Sequence, residues 1–188
     1  GNFVVNVTDA DAGGSGLLAS SRRYHVFERP PGGTWVQTIT NALRSPNGSI
    51  TIPVGSGVTG CSIEGTQACQ VQVFSRDRAG NVGSPTVEGD FVTVDIDYIN
   101  PVVGLISPTT ATIGTPITLS ATVSGGHSDI NYCNLFVNGS GTAMTLSGSP
   151  VNSASISYTF TSTEMHNVHV SCEDNASNYK RGDDISID

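Results

Sequence analysis

The fold prediction starts from Ser75-Arg76-Asp77-Arg78-Ala79-Gly80-Asn81, because the chain contains a second copy of this segment. The second copy is Cys172-Glu173-Asp174-Asn175-Ala176-Ser177-Asn178. Each copy follows a segment in which valine alternates with polar residues, and each precedes another strand-like segment. Self-similarity at a fixed period marks repeated structural units, and this period has the size of a small domain. The chain is therefore predicted to consist of two similar domains, residues 1–97 and residues 98–188.

The repeated stretch has the chemistry of a tight turn. An aspartate after a strand accepts hydrogen bonds from backbone amides two or three residues further on, and Gly followed by Asn tolerates positive φ. We predict that each copy closes a hairpin between the last two strands of its domain. The four predicted turn caps are Asp77, Asn81, Asp174 and Asn178. Ser177 replaces Gly80 in the second copy, so a left-handed conformation there would cost about 1 kcal/mol. The alternative is that the two aspartates are catalytic or bind a metal, but neither copy has a nucleophile or base beside them.

The composition favours β-structure throughout the chain. Only 13% of the 188 residues are charged and 22 are glycine, which is typical of short strands joined by turns. No segment shows a sustained 3.6-residue apolar period, so helices should be nearly absent. About seven short strands per domain predict an all-β fold of two sandwiches made from antiparallel sheets. Residues 142–146 are predicted as one of these strands, and Trp35 is expected in a core that is poor in aromatic residues.

Charge and hydropathy exclude two classes of partner. A net charge of −8 with a single lysine, Lys180, would repel a phosphate backbone, so nucleic acid is not expected as a partner. No apolar run approaches the roughly 18 residues of a membrane-spanning helix, so no membrane insertion is expected within this chain. The chain opens at Gly1 without a methionine or signal peptide, and we interpret it as a fragment of a larger, processed protein.

Four cysteines could pair in three ways, and the repeat narrows the choice because each domain holds two. Cys61 and Cys69 flank a glycine-containing loop, whereas Cys133 and Cys172 each share a strand face with apolar residues. We predict one bridge in each domain, Cys61–Cys69 and Cys133–Cys172. Neither pair has metal-site spacing. Disulfides persist in oxidising compartments, so the protein is expected to be extracellular or on a cell surface.

The two copies differ at their beginnings. The first domain lacks a counterpart of residues 102–115, and its opening strand matches the second strand of the second domain. We therefore expect the missing strand either upstream of Gly1 or from another segment. The linker, residues 97–101, is short and ends in proline, which predicts a semi-rigid connection between the domains.

Three short motifs resemble tandem bacterial immunoglobulin-like domains. They are Val92-Thr93-Val94-Asp95-Ile96-Asp97 with Pro101 after it, the Asp-x-x-Gly-Asn turn, and Val170-Ser171-Cys172-Glu173-Asp174, which is also similar to hyalin-repeat-like modules. The resemblance implies immunoglobulin-like sandwiches of secreted or cell-surface stalks, adhesins, or accessory modules beside enzyme domains. This chain departs from the pattern in its missing first strand, in Ser177, and in a cysteine pair on strands C and F.

Carboxylates in two places are candidates for calcium, which prefers oxygen ligands. The candidates are Asp9 and Asp11, beside a glycine loop, and Asp95 and Asp97, at the domain junction. The resemblance to adhesin repeats implies ions at such junctions. The alternative is that these four residues are solvated turn and strand-end residues, since the complete Asp-x-Asp-x-Asp-Gly pattern is absent.

Arg181-Gly182-Asp183 spells an integrin-binding tripeptide on the hairpin that carries it in fibronectin type III modules. The matching residues of the first copy are Glu88-Gly89-Asp90. Gly-Asp is therefore a shared entry into the last strand, and only the arginine is new. Short motifs of this kind match by chance, so the tripeptide is an alternative interpretation.

Catalytic motifs are absent from the sequence: it contains neither G-x-S-x-G nor H-E-x-x-H, and we expect no enzyme activity. The predicted function is that of a non-catalytic spacer or adhesion module whose partners are the neighbouring domains of a larger bacterial-type protein. One alternative is a glycan- or protein-binding accessory module of a secreted enzyme. The second alternative is an integrin-type ligand.

Overall fold

The chain folds as two compact units, Gly1–Tyr98 and Ile99–Asp188. The boundary between them lies one residue later in the sequence than the boundary expected from the repeat. The structure, a computed structural model, describes residues 1–9, 14–45, 47–81 and 91–188. Within these residues the helical structure consists of a three-residue 3-10 turn, Ala19–Ser21. None of the described helical residues forms a segment long and apolar enough to span a bilayer.

The described part of the first unit contains six strands. They are β1 (Asn2–Asn6), β2 (Arg23–Glu28), β3 (Val36–Leu43), β4 (Ser49–Pro53), β5 (Gly65–Phe74) and β6 (Phe91–Ile96). β1 and β4 form a two-stranded antiparallel sheet, and the second sheet has the order β3-β2-β5-β6. The side chains between these two sheets form the core of the unit.

Period-two alternation decides which side chains enter this core, because successive residues of a strand point to opposite faces. Val26 of β2, Ile52 of β4 and Val71 of β5 are at most 1% exposed. Phe3 and Val5 of β1 are half-buried against the same cluster. The first unit is thus a sandwich whose smaller sheet has only two described strands.

Trp35 does not belong to this core, so that prediction is wrong. Its side chain is half-buried and lies under the guanidinium of Arg29, 4.7 Å from the ring centroid. The residue precedes β3, and Ile39 in the middle of that strand contacts the core instead. The core of the first unit is consequently built from aliphatic residues and the Cys61–Cys69 pair.

The second unit contains nine strands. They are β7 (Val102–Val103), β8 (Ile117–Ser124), β9 (Ile130–Val137), β10 (Ser140–Ala143), β11 (Thr145–Gly148), β12 (Val151–Tyr158), β13 (His166–Asp174), β14 (Tyr179–Arg181) and β15 (Ile185–Ile187). One sheet has the order β11-β12-β8-β7; the other has the order β10-β9-β13-β14, with β15 also paired to β13. Leu119, Leu135 and Val168 are completely buried between the two sheets. Both units are therefore immunoglobulin-like antiparallel β-sandwiches, which confirms the predicted all-β fold class.

The segment predicted as one strand over 142–146 is two strands. β10 pairs with β9 in one sheet, and β11 pairs with β12 in the other. Met144 lies between them, buried, and its backbone N–H donates to the carbonyl of Cys133 at 2.9 Å. Alternation continues through Met144, so the change of sheet leaves no signal in the local pattern.

Candidate functional site

Asp77 and Asp174 occupy the same position in the same turn. The N–H of Asp77 donates to the carbonyl of Asn81 at 3.0 Å, and the N–H of Asp174 donates to that of Asn178 at 3.1 Å. In each turn the asparagine returns two hydrogen bonds to the aspartate carboxylate, one from its backbone and one from its side chain. A side-chain carboxylate that accepts local amides in this way closes a turn. The structure thus places the four predicted caps in two equivalent turns.

The two carboxylates differ in their surroundings. Asp174 is fully buried and accepts a further hydrogen bond from the N–H of Ala176 at 2.9 Å. Asp77 is half-buried and accepts a hydrogen bond from Ser15 Oγ at 3.0 Å. Hydrogen bonds from Asn81, the side chain first, lower the pKa of Asp77 below its ordinary value. Both aspartates therefore serve the backbone of their own turns.

The turn position that differs between the copies has a left-handed backbone in both. Gly80 has φ +94° and Ser177 has φ +65°. A Cβ added at Gly80 would meet no atom within 4 Å, so the preference there concerns the backbone alone. Ser177 carries the strain that the sequence comparison anticipated for this conformation.

Asp9 lies between two guanidinium groups. Arg22 Nε donates to Asp9 Oδ2 at 2.8 Å and Arg44 Nη2 to Oδ1 at 2.5 Å, while the Asp9 side chain is only 5% exposed. Hydrogen bonds from Arg44 and Arg22, the former stronger, lower the pKa of Asp9 against the opposing effect of burial. A calcium ion at Asp9 would have to bind beside two cations. The geometry therefore identifies Asp9 as an ion-pair residue that joins the start of β2 to the end of β3.

The other calcium candidates do not converge in the part of the chain that is described. Asp11 lies outside the described residues. Asp95 on β6 accepts a hydrogen bond from the N–H of Gln67 at 2.7 Å, at the irregularity where β5 shifts register. Among residues 1–9, 14–45, 47–81 and 91–188, no group of three or more His, Cys, Asp or Glu side chains could hold a metal. Calcium at Asp95 and Asp97 stays a prediction.

Arg181 is the last residue of β14, and Gly182 and Asp183 lie in the connection to β15, away from the tip of the hairpin, which residues 175–178 form. Gly182 is buried, and its N–H donates to the carbonyl of Val170 at 2.8 Å. A Cβ at Gly182 would lie 3.0 Å from Val103 Cγ1, so the backbone is packed beneath β7. Arg181 Nη2 donates to Asp184 Oδ1 at 2.5 Å, and that hydrogen bond raises the pKa of Arg181. The central residue of the tripeptide is therefore not exposed on a loop.

Both predicted cysteine pairs lie at disulfide distance. Cys61 and Cys69 have Cα atoms 5.7 Å apart, and Cys133 and Cys172 have Cα atoms 4.1 Å apart. Cys133 and Cys172 face each other across β9 and β13 of one sheet. Cys61 instead lies after β4 and forms an isolated β-bridge with Val54. Its disulfide bond to Cys69 on β5 therefore joins the two sheets of the first unit. All four sulfur-bearing residues are buried in the two cores.

A groove of about 630 Å³ at one end of the first unit was not foreseen from the sequence. Arg23 on β2 and Arg76 after β5 line it together with Phe74, Asn41 and several small residues. Phe74 stacks on His25, with ring centroids 4.9 Å apart. The alternation of β2 signals that Arg23 points outward, but only the pairing of Arg23 with Phe74 across β2 and β5 brings Arg76 to the same groove.

The groove has two guanidinium groups and one aromatic ring within reach of a bound molecule. Arg23 Nη1 donates to the carbonyl of Arg22 at 3.2 Å, which leaves further N–H donors on its planar fork. Such a fork matches the geometry of carboxylate and sulfate oxygens. The groove therefore presents hydrogen-bond donors whose geometry matches that of an anionic group.

Comparisons with known proteins place the chain by its fold only. No protein-family model matches it, and no curated protein matches it in sequence. A solved structure of the fibronectin(III)-like modules of Clostridium thermocellum CbhA is similar over 99% of this chain and 84% of that chain, with 14% identity and a TM-score of 0.47. The topology of the chain itself defines its class, a pair of immunoglobulin-like β-sandwiches in tandem, each with its own disulfide.

Proposed function

We propose that the chain is a non-catalytic pair of extracellular modules that spaces and supports neighbouring domains of a larger bacterial-type surface or secreted protein. This proposal rests on one observation: in both units, aspartate and cysteine side chains have structural roles. Asp9 is held by two arginines, Asp77 and Asp174 close turns, and the cysteines pair within the cores. These side chains are engaged in holding the sandwiches together.

The buried cysteine pairs support the extracellular part of the proposal. Each unit has one cysteine pair buried in its core, and such bonds persist where thiols are not kept reduced. Small domains with modest cores gain stability from such bonds. A spacer that works outside the cell needs this stability, because no chaperone refolds the protein there.

Force spectroscopy on single molecules tests the spacer function. A spacer built from two sandwiches should unfold in two separate steps, each at forces well above those that extend an unstructured linker. The same protein should bind nothing above background on arrays of glycans and extracellular-matrix proteins. Unfolding in one cooperative step, or saturable binding to one ligand class, would contradict the spacer function.

The groove at Arg23 favours a second candidate function, that of a glycan-binding accessory module. Two guanidinium groups and the ring of Phe74 could hold the carboxylate and the apolar face of an acidic sugar. An array of uronic-acid and sulfated saccharides tests this function, with Arg23→Ala as the variant and Arg29→Ala as the matched control. Arg29 lies over Trp35, outside the residues that line the groove. Binding lost in Arg23→Ala and kept in Arg29→Ala would support the module function over the spacer function.

A further inference from the structure

We propose that the edge of β1 away from β4, which has no partner among the described strands, binds an extended, uncharged peptide strand in antiparallel register, in the way that residues 102–107 cover the equivalent edge of the second unit. The site is the backbone of β1 on the side away from β4. Its occupant is a strand with apolar residues at the two positions that face the core. This interaction surface does not depend on whether the chain is a spacer or a binding module.

The equivalence of β1 and β8 follows from their partners. Phe3 pairs with Ile52 across β1 and β4, and Leu119 pairs with Ile156 across β8 and β12. In both units the next inward residue, two positions further on, pairs with a residue of the same partner strand. Phe3 therefore corresponds to Leu119, and Val4 corresponds to Ser120.

In the second unit the outer edge of β8 is covered. Ser107 and Ser120 exchange two backbone hydrogen bonds of 2.9 Å each, and the N–H of Gly104 donates to the carbonyl of Thr122 at 2.8 Å. Between these contacts Ile106 enters the core and is only 3% exposed. The covering segment thus supplies both hydrogen bonds and one side of the core.

In the first unit, the backbone groups of β1 that correspond to those of Ser120 and Thr122 point away from β4. Gly1 exchanges hydrogen bonds of 2.8 and 2.9 Å with Val54, and the N–H of Val7 donates to the carbonyl of Gly48 at 2.9 Å. The odd-numbered residues of β1 therefore face β4. Because bonding alternates along an antiparallel pair, the N–H and C=O groups of Asn2, Val4 and Asn6 face outward. Within the described residues β4 is the only strand that pairs with β1.

The sequence of β1 lacks the features that usually protect an open edge. Asn2-Phe3-Val4-Val5-Asn6 contains no charge and no proline, and its pairing with β4 shows no register shift. Val4 is 56% exposed on the outer face. Unprotected edges of this kind are templates for an added strand. Phe3 and Val5, which are only half-buried on the inner face, are the apolar surface that such a strand would cover.

The chemistry of the occupant follows from the segment that covers β8. It is uncharged and pairs with β8 at Val102–Val103 and again at Ser107, with apolar residues at the positions of Val103 and Ile106 and a small residue at Gly104, where a Cβ would lie 2.3 Å from Thr122 Oγ1. The serine of such a strand would exchange two hydrogen bonds with Val4, and its glycine would donate to the carbonyl of Asn6. The edge therefore selects the strand by backbone pairing and by two apolar side chains.

The probe is a synthetic peptide with the sequence of residues 101–108, Pro-Val-Val-Gly-Leu-Ile-Ser-Pro, added to the whole 188-residue chain. The second unit already contains this strand, so the edge of β8 is closed to the peptide. We expect amide exchange at Val4 to slow at least about tenfold, while the amides of Phe3 and Val5, which already face β4, change little. A peptide of scrambled sequence should have no effect.

Two changes separate edge pairing from other modes of binding. Val4→Pro removes the outward N–H without touching the bonds to β4, whereas Val4→Thr keeps that N–H, so only the proline variant should weaken peptide binding, by about tenfold. N-methylation of the peptide's serine nitrogen blocks its donation to the carbonyl of Val4 and should weaken binding to the unmodified protein. This second change keeps the test valid even if Val4→Pro unfolds the first unit.

Two results would overturn the proposal. One is unchanged exchange at Val4 in the presence of millimolar peptide. The other is a concentration-dependent dimer in sedimentation without peptide that Val4→Pro abolishes, because the edge would then be occupied by a second copy of the chain.

Discussion

Asp174 and Asn178 hold each other across the last hairpin of the second unit. The backbone N–H of Asn178 donates to Asp174 Oδ1 at 2.9 Å, and its side-chain Nδ2 donates to Oδ2 at 3.0 Å. Asp77 and Asn81 repeat both bonds at 2.8 and 2.7 Å in the first unit. The repeat that first divides the sequence is thus a repeat of one hydrogen-bonded turn, and the stability of each unit can be tested at that turn.

Asp174→Ala should destabilise the second unit by about 2–3 kcal/mol. The substitution leaves three amide donors without their acceptor at a site that is fully buried. Asn178→Ala removes only the side-chain donor and should cost about 1 kcal/mol. Urea unfolding followed by a probe in the second unit measures both values. If the two variants lowered the free energy of unfolding equally, the carboxylate of Asp174 would not be the main hydrogen-bond acceptor of the turn.

Ser177→Gly should stabilise the second unit by about 1 kcal/mol, because glycine adopts the observed φ of +65° without steric cost. The melting temperature of a unit of this size should rise by about 4–8 °C. The reverse substitution in the first unit, Gly80→Ser, should lower the stability of that unit by a similar amount. Calorimetry measures the change in melting temperature for each of the two variants. A change of the same sign in both would contradict the account of backbone strain.

The first unit should lose stability in acid through Asp9. Arg44 and Arg22 lower the folded-state pKa of Asp9 below 3.8, so its ionised form contributes stability above about pH 4, and this contribution is lost as the pH falls through the lowered pKa. Melting temperatures measured from pH 6 down to pH 2 should fall less steeply for Asp9→Asn than for the unmodified protein. Glu64→Gln, at a carboxylate outside this ion pair, serves as the control. Identical slopes for Asp9→Asn and the unmodified protein would remove Asp9 from the acid response.

Reduction of the two disulfides should increase the length by which each unit extends when it unfolds under force, and the size of the increase should identify the disulfide. Cys133 and Cys172 are 39 residues apart in sequence, and Cys61 and Cys69 are 8 apart. At about 3.6 Å per extended residue, reductant should add about 140 Å to the extension of the second unit and about 30 Å to that of the first. Contour lengths from force spectroscopy with and without reductant check both values. Cys133→Ala should show the longer extension of the second unit without reductant.

Arg181→Ala should leave cell attachment unchanged. Gly182 is buried and bonded to the carbonyl of Val170, and Arg181 is paired with Asp184, so an integrin could not insert the tripeptide unless this segment, including the end of β14, separated from β13. Adhesion of integrin-bearing cells to immobilised protein measures the effect, with a soluble Arg-Gly-Asp peptide as competitor. Attachment that both the substitution and the competitor abolish would show that the strand opens.

Much of the fold follows from local patterns. The turn at Asp77 is visible in the sequence because a carboxylate, a glycine and an asparagine act on backbone groups within four residues. The faces of β4 and β8 are visible because alternate residues point the same way. The change of sheet at Met144 and the half-buried position of Trp35 are not visible, since each depends on which strand lies opposite.

Local sequence patterns are enough to predict two β units, each closed by an aspartate-capped hairpin, because turn chemistry and period-two alternation act over a few residues. Which distant groups meet depends on the tertiary structure. Asp9 finds Arg44 across 35 residues of chain, and Arg23 shares a groove with Arg76. It also decided that the outer edge of β1 has no described partner while that of β8 has one. Long-range register sets these contacts, and register depends on how whole sheets pack around a core.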